Sequence, residues 1–208
     1  MTALDLGTAT DPPPVLRGDD GTVIHLDVEG WTADADAVEL RQLRRVRGPV
    51  LDIGCGPGRL VVALAERGIP ALGVDASPSA VQQALQRRAT ALVRSVFDPI
   101  PATGRWATAL LFDGNVGIGG DPATLLGRVA ELLAPEGRAV VETACPGTGL
   151  RRFDARVERG DDRTGWFPWA VVGADALDDV AAEAGLRPVA CHVDEGRWFV
   201  DLERSARR

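Results

Sequence analysis

Three glycines alternate at Gly54, Gly56 and Gly58, just after an apolar run that carries Asp52. Glycine lets a backbone turn tightly and come close to a bound molecule. The helix expected next opens with unpaired N–H groups, which favour a carboxylate as well as a phosphate. A dinucleotide fingerprint would put its third glycine where Arg59 stands. A phosphate loop would need a lysine, and all 23 basic residues are arginine. Asp75 follows Asp52 by 23 residues, at the expected end of the next strand. An acid there suits a vicinal ribose diol; it could instead cap the helix that opens at "SPSA". Together these residues suit an adenosine-containing molecule with a carboxylate tail.

A second group of reactive residues follows in "LLFDGNVGIGGDP", residues 110–122. Asp113 and Asn115 could orient an acceptor, although Asp113 could equally fix its own loop as an Asx turn. Gly114, Gly117, Gly119 and Gly120 suggest close backbone approach or a hinge. His25, Asp113, Glu142 and His192 are the candidate bases. Lone histidines are more often structural. Trp166, Phe167 and Trp169 cluster in "GWFPWA", and strand alternation would send Trp166 and Phe167 to opposite faces. These rings are either core or a pocket wall, and Trp31 is a second possible wall. Lysine and tyrosine are absent, which excludes a Schiff-base lysine and a tyrosine acid or base. Cys55, Cys145 and Cys191 have neither metal spacing nor a disulfide framework.

The elements that must position these residues alternate. Strands are expected over 49–54, 70–75, 90–97, 106–113 and 138–144, with helices over 34–48, 58–68, 77–89 and 121–137. Ser77 and Pro78 open the third helix as cap and first residue. Such alternation predicts βαβ units and a mainly parallel sheet, whose strand ends place their loops along one edge. The tail of the chain differs. Residues 151–172 read as two strands around "GDD", 173–185 as a helix, and 186–205 as an antiparallel pair. Residues 22–31 suit a short strand or extended lead-in, and the Pro- and Asp-rich stretch before them a loose tail.

"VLDIGCGPGRL", "GVDASPSAV" and "LLAPEGRAVVE" resemble the successive motifs of class I S-adenosylmethionine-dependent methyltransferases of the small-molecule type. The resemblance covers about residues 48–145 and the closing "RWFVDL". It implies an α/β, Rossmann-like, doubly wound sheet of seven mostly parallel strands. An antiparallel C-terminal strand and a β-hairpin-like insertion at about 146–172 complete the expected fold. Residues 1–20 would be a flexible tail and 21–208 a single domain, with an N-terminal cap over 21–47.

The same resemblance implies S-adenosylmethionine as cofactor and S-adenosylhomocysteine as product. Gly54, Cys55 and Gly56 would line the methionine part by backbone, with Gly58 beside them and Asp52 beneath. Asp75 would bind the ribose, with Ala76 next to it. Two alignments compete for the adenine: Ser95 with Val96, or Asp98. The loop carrying Asp113 and Asn115 would face the methyl group, and "DGNV" differs from the "NPPY" or "DPPY" of base-modifying enzymes. Trp31, Asn115, Glu142, Trp166 and Trp169 would line the acceptor pocket, with His25, Asp113 and Asn115 as the catalytic candidates.

The expected reaction is methylation of a small molecule, of the kind met in bacterial secondary metabolism. Use of the same cofactor for a rearrangement or cyclisation, or a silent binding module, are the alternatives. A net charge of −7 and the missing signal and membrane segments point to a cytoplasmic monomer or homodimer with no nucleic-acid or membrane partner and no metal.

Overall fold

The computed structural model describes residues 13–205. The chain opens with β1 (Val15–Gly18), β2 (Val23–His25), α1 (Val28–Thr32) and α2 (Ala37–Leu43). Asp36 caps α2 in a reciprocal box with Glu39, each side chain taking a backbone N–H of the other residue. The alternating stretch follows: β3 (Val50–Ile53), α3 (Arg59–Glu66), β4 (Ala71–Asp75), α4 (Pro78–Gln86), β5 (Ala91–Val93) and β6 (Trp106–Leu111). A 3-10 turn, α5 (Pro122–Leu132) and β7 (Leu133–Thr143) complete it. β8 (Leu150–Arg159), β9 (Asp162–Arg163), β10 (Phe167–Val172), α6 (Leu177–Glu183), β11 (Leu186–Asp194) and β12 (Arg197–Arg204) close the chain.

Seven of these strands form one sheet in the order β11-β12-β7-β6-β3-β4-β5. β3, β4, β5, β6 and β7 run parallel, and β12 runs antiparallel between β7 and β11. This is the doubly wound α/β arrangement the sequence implies. Its central strands are buried on both faces, as parallel strands under helices must be. Leu51 and Ile53 of β3 pack in the cluster that holds α5 and α6. Val50, one residue out of phase, packs with α2 and α3. Strand order reverses between β3 and β6, and a ligand crevice forms at such a point.

A second sheet, β10-β8-β1-β2 with β9 on β8, is wholly antiparallel. Its alternation is clean. Leu16, Phe153, Ala155, Val157, Phe167 and Trp169 share one apolar face. Arg17, Arg156 and Glu158 pair on the other. The tail expected up to residue 20 therefore ends sooner, because Val15–Gly18 is a strand with Leu16 buried. The rest of that expectation, residues 1–12, lies outside the described residues.

The "LLAPEG" segment also departs from expectation. The helix expected to reach 137 stops at Leu132, and Leu133 is already extended. Pro135 disfavours the helical conformation at Ala134 and has no N–H to continue the helix, so the chain enters β7 early.

Candidate active site

The carboxyl ends of β3, β4, β5 and β6 open into a cleft of about 500 Å³, roofed by the apolar face of the second sheet. That volume lies within the range of roughly 300–1,000 Å³ usual for small-molecule sites. Gly54, Cys55, Gly56, Asp75, Ala76, Ser95, Val96, Asp113, Asn115, Trp31 and Trp169 all line it.

The floor is built by backbone. Gly54 turns with φ +73°, and a Cβ there would lie 2.6 Å from the Asn115 amide nitrogen. That nitrogen donates to the carbonyls of Ile53 at 2.9 Å and Gly54 at 3.0 Å. Asn115 thus ties the β6 loop to the end of β3 across the switch point. Two carbonyls on one side fix the amide, so its Oδ1 is turned away from them.

Asp75 ends β4 and accepts from the Gly56 N–H at 2.9 Å and the Ser77 N–H at 2.8 Å. Ser77 itself caps α4 by accepting from the Ala80 N–H. Asp75 therefore holds the glycine turn to the start of the next helix. Burial pushes its carboxyl above the ordinary range, and the two backbone bonds pull it back. The Cys55 thiol packs where a Gly73 side chain would be, and burial pushes it up, so it stays inert.

Asp52 and Gly58 do not line the cleft. Alternation turns Asp52 inward with Val50, where it is 2% exposed and its Oδ2 makes no hydrogen bond among the described residues. Burial pushes its carboxyl up to about 7, against the pull of nearby Arg59. Gly58 faces Ala84 and Ala89 at the start of α3. Asp98 also turns away, its carboxylate accepting from the Ser95 N–H at 3.1 Å. Ser95, Val96 and Phe97 meet the cleft in its place.

Behind the β6 loop runs a closed ring of charge that sequence reasoning missed. Arg59, 7% exposed, donates to Glu39 at 3.0 Å and to Asp113 at 2.7 Å. The Asp113 N–H donates to Glu142 at 2.9 Å, and Arg197 pairs with Glu142 at 2.7 Å. Arg197 also approaches Glu39 at 3.5 Å, which closes the ring. It holds Asp113 at φ +55°, an uncommon conformation for an aspartate. Burial pushes the Asp113 carboxyl up and Arg59 pulls it back. Glu142, expected in the acceptor pocket, is occupied by this ring and does not line the cleft. The capping box in "DADAVE" was the available signal for Glu39; Arg59 was visible only as a missing glycine.

Two further expectations fail by strand parity. His25 is exposed on β2 beside Val15, on the outer face of the roof. Trp166 is 49% exposed and stacks on Arg156, 4.6 Å from guanidinium to ring. Phe167 and Trp169, two residues apart on β10, face the cleft in an edge-to-face pair with centroids 6.2 Å apart. His192 lies on β11 against Arg45, away from the cleft. Two glycines of the β6 loop make room for the roof: a Cβ on Gly117 would overlap the Ala170 carbonyl of β10, and one on Gly120 would crowd Pro168. Ile118 forms a bridge with Trp169 there.

A family model described as a methyltransferase domain matches residues 33–190. The chain belongs to that family. Its fold is similar to that of an S-adenosylmethionine-dependent methyltransferase from Bacteroides fragilis, crystallised with S-adenosyl-L-homocysteine. That likeness covers 95% of this chain and 90% of the other at 19% identity, with a TM-score of 0.78. The 1,6-didemethyltoxoflavin-N1-methyltransferase of Burkholderia thailandensis is similar over 86% of this chain and 80% of its own, at 18% identity and a TM-score of 0.59. In sequence, a 2-heptyl-1-hydroxyquinolin-4(1H)-one methyltransferase from Mycobacteroides abscessus is 33% identical over 116 residues. That match spans 54% of this chain and about half, 48%, of the relative. No helix among the described residues is long and apolar enough to cross a membrane.

Proposed function

We propose that this protein transfers a methyl group from S-adenosylmethionine to a small molecule. The observation that carries the reading is the shared cleft. The glycine turn, the Asp75 carboxylate and the Asn115 amide all open into one cavity beneath an aromatic roof. The residues fit the cofactor chemically. Gly54 and Gly56 would hold the methionine end, Asp75 the ribose hydroxyls, and Ser95 with Val96 the adenine. When bound, the cofactor supplies a methyl group on a positively charged sulfur, a good leaving group.

The chain's own part is mostly positioning. Well-held reacting pairs gain effective molarities of ~10⁵–10⁸ M, so alignment alone supplies much of the rate. Asn115 orients the acceptor at the switch point. The ring through Arg59 and Arg197 keeps the Asp113 loop fixed while the acceptor binds. The structural and sequence relatives that act on toxoflavin precursors and quinolones support a small-molecule acceptor. Calorimetry with S-adenosylhomocysteine tests the reading. Micromolar binding is expected, and no binding at millimolar ligand sinks it.

A further inference from the structure

The two walls of the cleft differ in chemistry, and the difference bears on the acceptor. The carboxylates among the described residues of the cleft are Asp75 and Asp113. Both belong to the strand-end wall, and both are engaged, Asp75 by backbone N–H groups and Asp113 by Arg59. The roof wall carries none. It presents Leu16, Leu26, Val157 and the Phe167–Trp169 pair, with Trp31 from α1 and, at the end of β8, the cationic Arg159. A perpendicular aromatic pair offers both a ring edge and a ring face, which suits a flat π-system. A cation has no carboxylate on this wall to replace its water.

Asn115 lines the cleft from the switch point. Asn115 spends both amide hydrogens on the carbonyls of Ile53 and Gly54. Its Oδ1 is left as an acceptor at the cleft. An acceptor molecule seated there satisfies that oxygen with an O–H or N–H.

We infer that the acceptor is a flat aromatic molecule without positive charge, seated against Phe167 and Trp169, whose O–H or N–H donates to Asn115. This rests on the proposed methyl transfer and names its substrate class. The same atom is the nucleophile: its lone pair forms the new bond to the methyl carbon as the carbon–sulfur bond breaks. The breaking pair stays on sulfur, and the acceptor's proton leaves to solvent. Among the described residues of the cleft there is no imidazole, lysine or tyrosine to take it. The reading therefore favours acidic donors such as phenols and hydroxylated or N–H heteroaromatics over amines.

Four probes built on one fused bicyclic skeleton test this, each titrated into protein saturated with S-adenosylhomocysteine. They are 2-naphthol, 2-methoxynaphthalene, 2-(aminomethyl)naphthalene and decahydro-2-naphthol. Quenching of tryptophan fluorescence and calorimetry read the binding. The naphthol should bind about tenfold tighter than each of the others, the scale of one well-made contact. Trp169→Leu and Phe167→Leu should each weaken naphthol about tenfold and leave S-adenosylhomocysteine affinity unchanged. Asn115→Leu should erase the preference for naphthol over its methyl ether.

Equal binding of the ammonium or the saturated probe overturns the inference while methyl transfer stands. So does a naphthol preference that survives Asn115→Leu. If S-adenosylhomocysteine itself fails to bind the natural protein, the proposed function falls and this inference with it.

Discussion

The two walls of the cleft solve recognition in opposite ways. The strand-end wall uses backbone: turns at Gly54 and Gly56, N–H groups and one carboxylate at the end of β4. The roof uses side chains on alternate positions of β1, β8 and β10. A backbone cradle changes only if the chain path changes, so it suits a partner that stays the same. A face of side chains can be rewritten residue by residue while its ladder of backbone hydrogen bonds stays intact. Under the proposed function, the division would let donor recognition stay fixed while acceptor recognition varies.

The largest test strikes the charge ring under the strand-end wall. Arg59→Ala leaves Glu39, 2% exposed, and Asp113 without their shared cation. Removing one partner of a buried ion pair costs about 3–5 kcal/mol. Urea denaturation should show a loss of that size. A loss under about 1 kcal/mol would mean that the wall stands without its ring.

Asp75→Ala comes next. It removes the proposed ribose acid together with the tie between Gly56 and Ser77. A loss of about hundredfold in S-adenosylhomocysteine affinity is expected by calorimetry, the scale of one or two charge-assisted bonds. Naphthol affinity should fall far less. Equal losses on both ligands would erase the distinction between the walls.

A smaller effect concerns pH. The Asp52 carboxyl is raised to about 7 in the folded protein, chiefly by burial. Unfolded, it titrates near 4. Folding therefore takes up a proton between those values. The stabilisation is full below about pH 4 and is lost as pH rises to about 7. Asp52→Asn should remove that decline, so its melting temperature should gain on the natural protein across this window and level off above it. A constant difference at all pH values would refute the assignment.

The smallest effect belongs to Trp166. It sits outside the roof, 49% exposed. Trp166→Ala should change stability by about 0.5 kcal/mol or less, with unchanged naphthol binding. A clear loss of naphthol would show that the acceptor reaches the outer face.

The strand-end wall was legible in the sequence because its signals are local. Alternate glycines, a strand-terminal acid and a Ser-Pro helix start each lie within a few residues of what they shape. The roof was harder for two physical reasons. β1 joins the rest of the sheet only through β8, and four residues near a Pro-rich stretch carry too little local signal to read as a strand. Strand parity then decides everything. Trp166 and Trp169, an odd number of positions apart, cannot share a face of one regular strand. Phe167 holds the place first given to Trp166. Of the glycines at 114–120, expected to allow close approach or a hinge, Gly117 and Gly120 lie close against β10 and Gly119 against Phe97.

The pairing of β1 with β8 has a consequence in time. Arg17 and Glu158, joined across that ladder, stand 141 residues apart in the chain. Parallel pairs such as β3 with β4 close over a single helix. Contacts over long separations form late, because the chain must first give up the freedom of everything between. On a chain leaving the ribosome, β1 has only β2 beside it until about two thirds of the protein has followed. The glycine turn and the end of β4 can thus be in place before the roof that faces them is complete.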